Sequence, residues 1–277
     1  MKTVKLMRPL TCLLLLAALL IACSPQQESE NSQPAPADVL MPVGKDVTWD
    51  LVVIGDSSLW GCGDALAEKI TKDLGVAVKV HDFALPGLSA GSVKEVLETG
   101  KASSSYTLLK LPEALKEADY VIMFVNPLDS VVPGKPIELD GCFFASKPGA
   151  CGLNRFAAYI TDMEFIWDKI IEIRAGQPTI LRATDIYNPL VDYWQKKGVF
   201  KDCTNCWENM SAAARQAAEN SGIPFLSRFD AFNGPAHTED PREKGYIRDD
   251  GEHPTDLANE VTAQLLSGMG YAATIPN

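Results

Sequence analysis

The sequence of 277 residues is poor in histidine and in positive charge, and it has no long hydrophobic run. With three histidines in the chain, any imidazole chemistry rests on His81, His237 or His253. The 25 lysines and arginines face 36 aspartates and glutamates, and the net charge of −11 disfavours nucleic acid as a partner. The apolar run Leu13 to Ala22 is shorter than the roughly 20 residues of a membrane span.

No zinc or calcium motif is complete in this sequence. Cys203 and Cys206 form a C-x-x-C, but no second C-x-x-C and no His-x-x-x-His accompanies it, so half a zinc site is the weaker alternative. The acidic cluster Asp249, Asp250 and Glu252 lacks the alternating oxygen ligands of a calcium loop. We therefore expect neither a metal ion nor another cofactor.

The first 22 residues are typical of an export signal. Three basic residues precede the apolar run, as in a signal peptide. The segment Leu-Ile-Ala-Cys23 resembles the lipobox of bacterial lipoproteins, in which the cysteine becomes the lipidated first residue; an ordinary secretory signal is the alternative. Cleavage after residue 22 removes three positive charges and takes the net charge from −11 to −14. We expect an exported protein that a lipid on Cys23 holds at the bacterial membrane, on the cell surface or in the periplasm.

Composition divides the remaining chain into a tether and one domain. Residues 23–46 are polar, proline-bearing and without apolar period, which predicts a flexible tether. Over residues 47–277 strand and helix patterns alternate, which is typical of a parallel sheet covered by helices on both faces. The predicted strands are 51–54, 76–83, 120–125, 179–184 and 225–229, and the predicted helices are 58–73, 89–99, 106–117, 155–175, 204–220 and 255–268.

The connection from Pro127 to Asn154 interrupts this alternation. It contains proline, glycine and two cysteines but no periodicity, and long loops of this kind are usually functional. Since it follows the third predicted strand, we expect it to overhang the crevice at the carboxyl ends of the strands.

The cysteines of the exported chain predict disulfides. Cys142 and Cys151 flank a loop, and Cys203 and Cys206 are three residues apart, so two local disulfides are expected. Cys62 is left over, and we expect it to be buried as a small hydrophobic residue.

Two serines compete for the role of nucleophile. Ser57 follows the first strand in Gly-Asp-Ser, and Ser89 lies in a G-x-S-x-G pattern after the second. G-x-S-x-G is the nucleophile pattern of α/β-hydrolases, but that fold needs several strands upstream, and only one other strand pattern precedes Ser89. Ser89 is also well placed to cap the helix that begins there. We therefore favour Ser57 and keep Ser89 as the alternative.

A serine nucleophile needs a base, usually an imidazole that a carboxylate orients. His81 lies within a strand pattern and His237 in a polar loop, where a packed and a solvated histidine are expected. His253 lies in Asp250-Gly-Glu-His253-Pro254, at the start of the last helix. The spacing lets Asp250 reach one ring nitrogen while the other faces a serine. The alternative is that Asp250 caps the helix beside a surface histidine.

These motifs resemble the blocks of the SGNH or GDSL hydrolases, a family of esterases, lipases and carbohydrate deacetylases. Gly-Asp-Ser57 followed by Gly61 is similar to the first block, with Ser58 in place of leucine, and Asp250-Gly-Glu-His253-Pro is similar to the last.

The two middle blocks of the family match more loosely. Gly87 follows the second strand and Asn126 follows the third, as in the family. Phe124 and Pro127 replace the glycine and the aspartate of the family's Gly-x-Asn-Asp, which puts the aim of the Asn126 side chain in question.

The resemblance covers about residues 49–268 and implies a three-layer α/β/α fold with a five-stranded parallel sheet of flavodoxin-like order. It implies a serine esterase in which Ser57 attacks, His253 is base and then acid, and Asp250 holds the imidazole. The N–H groups of Ser57 and Gly87 and the Asn126 amide would form the oxyanion hole.

The expected substrate is a carbohydrate O-acyl or O-acetyl ester or a lipid ester, and the protein is expected to be a monomer. The alternative is a non-catalytic surface lipoprotein that binds a glycan or lipid. Four aromatic residues are candidates for a substrate cleft, although scattered aromatic residues are more often structural: Trp60, Tyr193, Trp194 and Trp207.

Overall fold

The structure, a computed structural model, describes residues 41–44, 46–127 and 152–275. The described residues belong to one compact unit. The predicted signal peptide, most of the predicted tether and the lipidation site Cys23 lie outside the described residues. Cys142, Cys151 and most of the connection from Pro127 to Asn154, which is predicted to overhang the crevice, also lie outside the described residues.

Strands and helices alternate along the described residues, as the sequence predicts. The strands are β1 Thr48–Gly55, β2 Ala77–Ala84, β3 Tyr120–Phe124, β4 Ile180–Thr184 and β5 Phe225–Leu226. The α-helices are α1 Cys62–Leu74, α2 Ala90–Thr99, α3 Leu111–Glu117, α4 Ala157–Ile173, α5 Val191–Lys197, α6 Phe200–Asn220, α7 Arg228–Asn233 and α8 Asp256–Gly268. Short 3-10 helices cover Ser57–Leu59, Tyr106–Lys110 and Leu153–Phe156.

The sheet is parallel throughout and has the order β2-β1-β3-β4-β5. Helices α1 and α8 pack together in one layer, and α2, α4 and α6 pack together in another. Every residue of β3 and β4 is buried, because helices cover both faces of a parallel sheet and leave no polar face. The predicted three-layer fold and its flavodoxin-like strand order are confirmed.

The register of β1 places two loops side by side at the point where the strand order reverses. Gly55, the last residue of β1, pairs with Phe124, the last residue of β3. Ser57 and Asn126 therefore lie two residues beyond the same pair. The two strands approach so closely there that a Cβ on Gly55 would lie 2.5 Å from the Phe124 carbonyl oxygen. Glycine is thus required at the end of β1.

The predicted strand 225–229 extends too far at its carboxyl end. Only Phe225 and Leu226 are extended, and α7 begins at Arg228. The Ser227 hydroxyl accepts the N–H of Asp230 and so caps α7 at its first turn.

Two helix predictions also need correction, and one helix was missed. Helix α5 was not predicted, and α6 begins four residues before the predicted 204–220. The predicted helix 106–117 is a 3-10 turn followed by α3, with Pro112 in the first turn of α3, where its missing N–H is harmless.

The cysteines within the described residues are buried. Cys62, at the start of α1, is a free cysteine, and burial raises the pKa of its thiol to about 11, so it stays protonated at neutral pH. The prediction of a small buried residue is confirmed. Cys203 and Cys206 lie one turn apart on α6, and the disulfide between them stays a prediction.

Among the helices of the described residues, none combines the length and the apolar character that crossing a membrane requires.

Gly63 tests how closely α1 packs on the sheet. A Cβ there would lie 2.8 Å from Val53 Cγ2 and 3.0 Å from Val80 Cγ1, and valine methyl groups cannot turn away freely. We expect Gly63→Ala to lower the free energy of unfolding, because overpacking costs about 1–3 kcal/mol. Urea denaturation measures it.

Gly91→Ala is the matched control, since Gly91 is exposed on α2 and its added Cβ meets only Ser89 Oγ, at 3.9 Å. That change should raise the free energy of unfolding by about 0.5–1 kcal/mol through helix propensity. Equal stabilisation by both variants would contradict the close packing of α1.

Candidate active site

Ser57, His253 and Asp250 form a continuous chain of hydrogen-bonding atoms. His253 Nε2 lies 3.0 Å from Ser57 Oγ, and His253 Nδ1 lies 3.0 Å from Asp250 Oδ2. Ser57 begins the 3-10 turn that follows β1, and Asp250 and His253 lie just before α8. The structure therefore brings together the three residues that the sequence selected. Such a chain lets a serine lose its proton to an imidazole that a carboxylate orients.

A tight turn presets the distance between Asp250 and His253. Asp250 Oδ1 accepts the backbone N–H groups of Glu252 and His253, both at 2.9 Å, and Gly251 between them has φ +86°. The other carboxylate oxygen, Asp250 Oδ2, is therefore the one that contacts the His253 ring. The cap of α8 is Thr255, whose hydroxyl accepts the N–H of Ala258. Asp250 is therefore not a helix cap.

The electrostatics of this turn keep Asp250 ionised. Partial burial raises its pKa, but the N–H groups of His253 and Glu252 and the His253 ring lower it further, to about 2. Asp250 is thus a carboxylate at every pH at which an imidazole titrates.

Asn126 lies beside the turn despite its altered neighbours. Its side chain is hydrogen-bonded to Asp56, and both residues line the cavity that contains Ser57. Asp56 is buried, which raises its pKa, while hydrogen bonds from Ser58, the charge of Arg228 and the Asn126 amide lower it. The Asp56 carboxylate also accepts the Ser58 N–H at 2.9 Å. Asp56 therefore joins the nucleophile turn to the β3 loop.

The other sequence candidates take different places. Gly87 lies in the turn after β2 at φ +64° and is not among the described residues that line this cavity. Ser89 is the N-cap of α2, as the sequence predicts. Its Oγ accepts the Ser92 N–H and lies 3.0 Å from Ser92 Oγ.

The remaining histidines have structural contacts. His81 lies on the edge strand β2 with its Nε2 2.5 Å from Asp50 Oδ1. His237 was expected to be solvated and not catalytic; its side chain is 20% exposed and its ring stacks on Phe229.

Sequence reasoning missed Arg228, which lies beneath the nucleophile turn. Arg228 is 1% exposed, and its guanidinium donates to the Ser58 carbonyl at 2.7 Å and to Ser58 Oγ at 3.0 Å. Its Nε donates to the Asp185 carbonyl at 2.7 Å. Ser58, where the family has leucine, is therefore the acceptor for a buried cation. Serine in place of leucine at position 58 was the sequence feature that could have indicated a buried polar partner for this turn.

Asp185 holds Arg228 from the other side. Its buried carboxylate accepts the hydroxyls of Ser211 and Ser227 and the N–H groups of Arg228 and Phe229. Burial raises the pKa of Asp185, while these donors and the Arg228 charge lower it. A carboxylate with four donors anchors the start of α7, and with it the arginine.

The cavity beside Ser57 is small, about 80 Å³. Its described lining consists of Asp56, Ser57, Ser58, Asn126, Ile186, Tyr187, Pro189, Trp207, Glu252 and His253. Of the four aromatic candidates, Trp207 lines the cavity and Trp194 packs behind it with ring centroids 5.6 Å apart. No cluster of three or more metal-ligating side chains occurs within the described part of the chain.

No protein-family model matches the chain, and no curated protein sequence matches it. Several solved structures are similar to it. The lipase Lip_vut3 from a goat rumen metagenome is 18% identical, with a TM-score of 0.60 over 82% of this chain and 99% of the lipase. A gut microbial diltiazem-metabolizing enzyme is 16% identical, with a TM-score of 0.54 over 83% of this chain and 48% of that chain.

A lipase/acylhydrolase from Enterococcus faecalis is 13% identical, with a TM-score of 0.47 over 80% of this chain and 95% of that chain. At such identities the likeness concerns the fold, and the goat rumen lipase is matched over nearly its whole length. The chain therefore has the α/β/α fold of the SGNH hydrolases that its sequence motifs resemble.

Proposed function

We propose that this chain is a serine ester hydrolase of the SGNH type that works through an acyl-enzyme. The observation that carries the proposal is the chain of contacts from Asp250 through His253 to Ser57, with both inter-residue distances at 3.0 Å. A lipase shares its fold, which is consistent with ester hydrolysis.

In this mechanism Ser57 Oγ attacks the ester carbonyl carbon while its proton moves to His253 Nε2. Asp250, kept ionised by its turn, accepts the Nδ1–H bond and stabilises the imidazolium. The oxyanion faces the N–H of Ser57 and the amide of Asn126, with Gly87 as the third donor predicted from the family. The imidazolium then protonates the leaving alcohol. Water attacks the acyl-enzyme by the same route, and its proton returns through His253 to Ser57.

We further propose that the acyl group is short. The cavity of about 80 Å³ is well below the roughly 300–1,000 Å³ of sites that enclose drug-sized ligands. Ile186 and Trp207 form part of its wall. Acetyl esters, including those on carbohydrates, fit such a cavity better than long-chain lipid esters do.

We also propose that the protein is exported and lipid-anchored. The support is the sequence of residues 1–23, in which a basic start, an apolar run and Leu-Ile-Ala-Cys23 follow one another. Two disulfides among Cys142, Cys151, Cys203 and Cys206 belong to the same proposal, since disulfides persist in exported proteins.

The proposed nucleophile is tested by Ser57→Ala. With p-nitrophenyl acetate as substrate we expect kcat/KM to fall by about 10⁴-fold or more, because the residues of a triad act as a unit. Ser89→Ala is the matched control and should leave kcat/KM within about threefold while costing about 1 kcal/mol of stability as a lost helix cap. Absence of any hydrolysis by the wild type would favour the non-catalytic binding protein instead.

The proposed acyl cavity is tested by chain length. We expect kcat/KM for p-nitrophenyl octanoate to be at least about tenfold below that for the acetate, equivalent to about 1.4 kcal/mol. Ile186→Ala should raise the octanoate-to-acetate ratio, because it deepens the cavity. Ile223→Ala, which shortens a buried isoleucine away from the cavity lining, should leave the ratio unchanged. A wild type that prefers octanoate would contradict the short acyl group.

The proposed anchor is tested by expression with the leader in a bacterial host. Cys23→Ser should move the protein from the membrane pellet to the soluble fraction, because the lipid is attached at that sulfur. An unchanged distribution would contradict the anchor.

The two proposed disulfides are tested on the same exported protein by mass spectrometry. Reduction should add four hydrogens to the mass, and peptide mapping should show which of Cys142, Cys151, Cys203 and Cys206 are joined.

A further inference from the structure

The indole of Trp60 covers one face of the His253 ring. The two ring centroids are 4.7 Å apart and the planes are inclined by 18°, a stacked arrangement. Trp60 follows Ser57 by three residues, so the turn that carries the proposed nucleophile also carries the surface on which the proposed base rests. Trp60 is one of the four aromatic candidates of the sequence.

Trp60 is fixed in place by hydrogen bonds from three directions. Its indole N–H donates to the Ala84 carbonyl at the end of β2, at 3.0 Å. Its own carbonyl accepts the side-chain amide of Asn259, on α8, at 2.9 Å. Its backbone N–H donates to the Ser57 carbonyl at 3.2 Å.

Gly61 permits this arrangement. Its φ is +78°, and a Cβ on it would lie 2.6 Å from Asn259 Nδ2. Trp60 is thus tied through its indole N–H to β2 and through its backbone to α8 and to the nucleophile turn.

The contacts of His253 at Nδ1 with Asp250 and at Nε2 with Ser57 restrain the two ring nitrogens. A small rotation of the ring about its Cβ–Cγ bond bends both contacts but does not break them. A flat surface stacked on the ring removes this rotation. Trp60 therefore completes the positioning that Asp250 begins.

We propose that Trp60 is a positioning residue for the proposed ester hydrolysis, holding the His253 ring in plane with Ser57 and stabilising the imidazolium that forms when Ser57 loses its proton. This inference rests on the proposed function. When Ser57 Oγ bonds to the carbonyl carbon, its proton binds Nε2 and the ring gains a positive charge. The electron-rich face of an indole within about 6 Å attracts such a cation, and does so more strongly than it attracts the neutral ring.

Other charged groups also act on His253. Asp250 contacts Nδ1, and Asp56 and Glu252 line the same cavity, while the buried Arg228 lies behind Ser58. The carboxylates favour the imidazolium and Arg228 opposes it. All of them remain in a Trp60 variant, so a change in the titration of His253 on replacing Trp60 reports the indole itself.

Two variants separate the aromatic face from the rest of the side chain. Trp60→Leu and Trp60→Phe both lose the indole N–H bond to Ala84, but Trp60→Phe keeps a ring. We expect Trp60→Leu to lower kcat/KM for p-nitrophenyl acetate by about 2- to 30-fold, the range that one cation–π contact supplies, and Trp60→Phe to lose less. The drop should lie in kcat, because the charge forms after substrate binds.

The acidic limb of kcat/KM against pH is the decisive readout. Removing a group that stabilises the imidazolium over the neutral ring should move the limb to lower pH in Trp60→Leu, by up to about 1.5 pH units, and less in Trp60→Phe. A limb that does not move, or that moves to higher pH, overturns the inference. Equal losses in the two variants also overturn it, since the cause would then be the indole N–H or packing.

Proton NMR titration of His253 tests the contact without relying on turnover. With three histidines in the chain, its ring signal is assignable by comparison with His253→Gln. The chemical-shift change that accompanies protonation of the ring should occur at lower pH in Trp60→Leu than in the wild type, with Trp60→Phe between them. If the wild type hydrolyses no ester but this order holds, the proposed function fails and the stacking contact stands. If esters are hydrolysed and the order is absent, the inference about Trp60 fails alone.

Discussion

The pairing of β1 with β3 is the constraint on which the candidate site depends. Gly55 pairs with Phe124, so the chain leaves the sheet at adjacent points and carries Ser57 and Asn126 out together. A slip of one residue would turn every β1 side chain to the opposite face of a sheet that is buried on both. The core therefore fixes the position of the proposed nucleophile. His253 has to meet it from a loop 196 residues further along the chain.

The polar network under the nucleophile turn explains how a polar loop keeps its shape beside a hydrophobic core. Arg228 donates to Ser58 and to the Asp185 carbonyl, and Asp185 accepts four further donors. An unpaired buried charge is strongly destabilising, whereas a fully bonded network holds one arrangement. The loop after β4 and the start of α7 are thus fixed to the turn after β1. Three of the five carboxyl-end loops support one another through this arginine.

The sequence predicted what depends on local pattern and missed what depends on distant contacts. The apolar runs of β1 and β3 and the close spacing of Asp250 and His253 are local, and each was found. The contact of Arg228 with Ser58 and the stacking of Trp60 on His253 each join residues more than 150 positions apart. These residue types are common, and no local sequence spacing indicates that they are in contact. The strand predicted over 225–229 failed for the same reason, because Asp185, far along the chain, accepts the N–H groups that start α7.

A second histidine shows why the environment of His253 is suited to chemistry and not merely to packing. His237 also stacks on an aromatic ring, that of Phe229, with centroids 3.7 Å apart, and it also has carboxylates beside it. But its Nε2 is bonded to Asp230 at 2.8 Å and its Nδ1 faces Glu208 at 3.7 Å, so both nitrogens face acceptors. Neither of these contacts offers an alcohol from which a proton could be taken. At His253 one nitrogen faces a carboxylate and the other faces Ser57 Oγ, and this asymmetry is what general base catalysis requires.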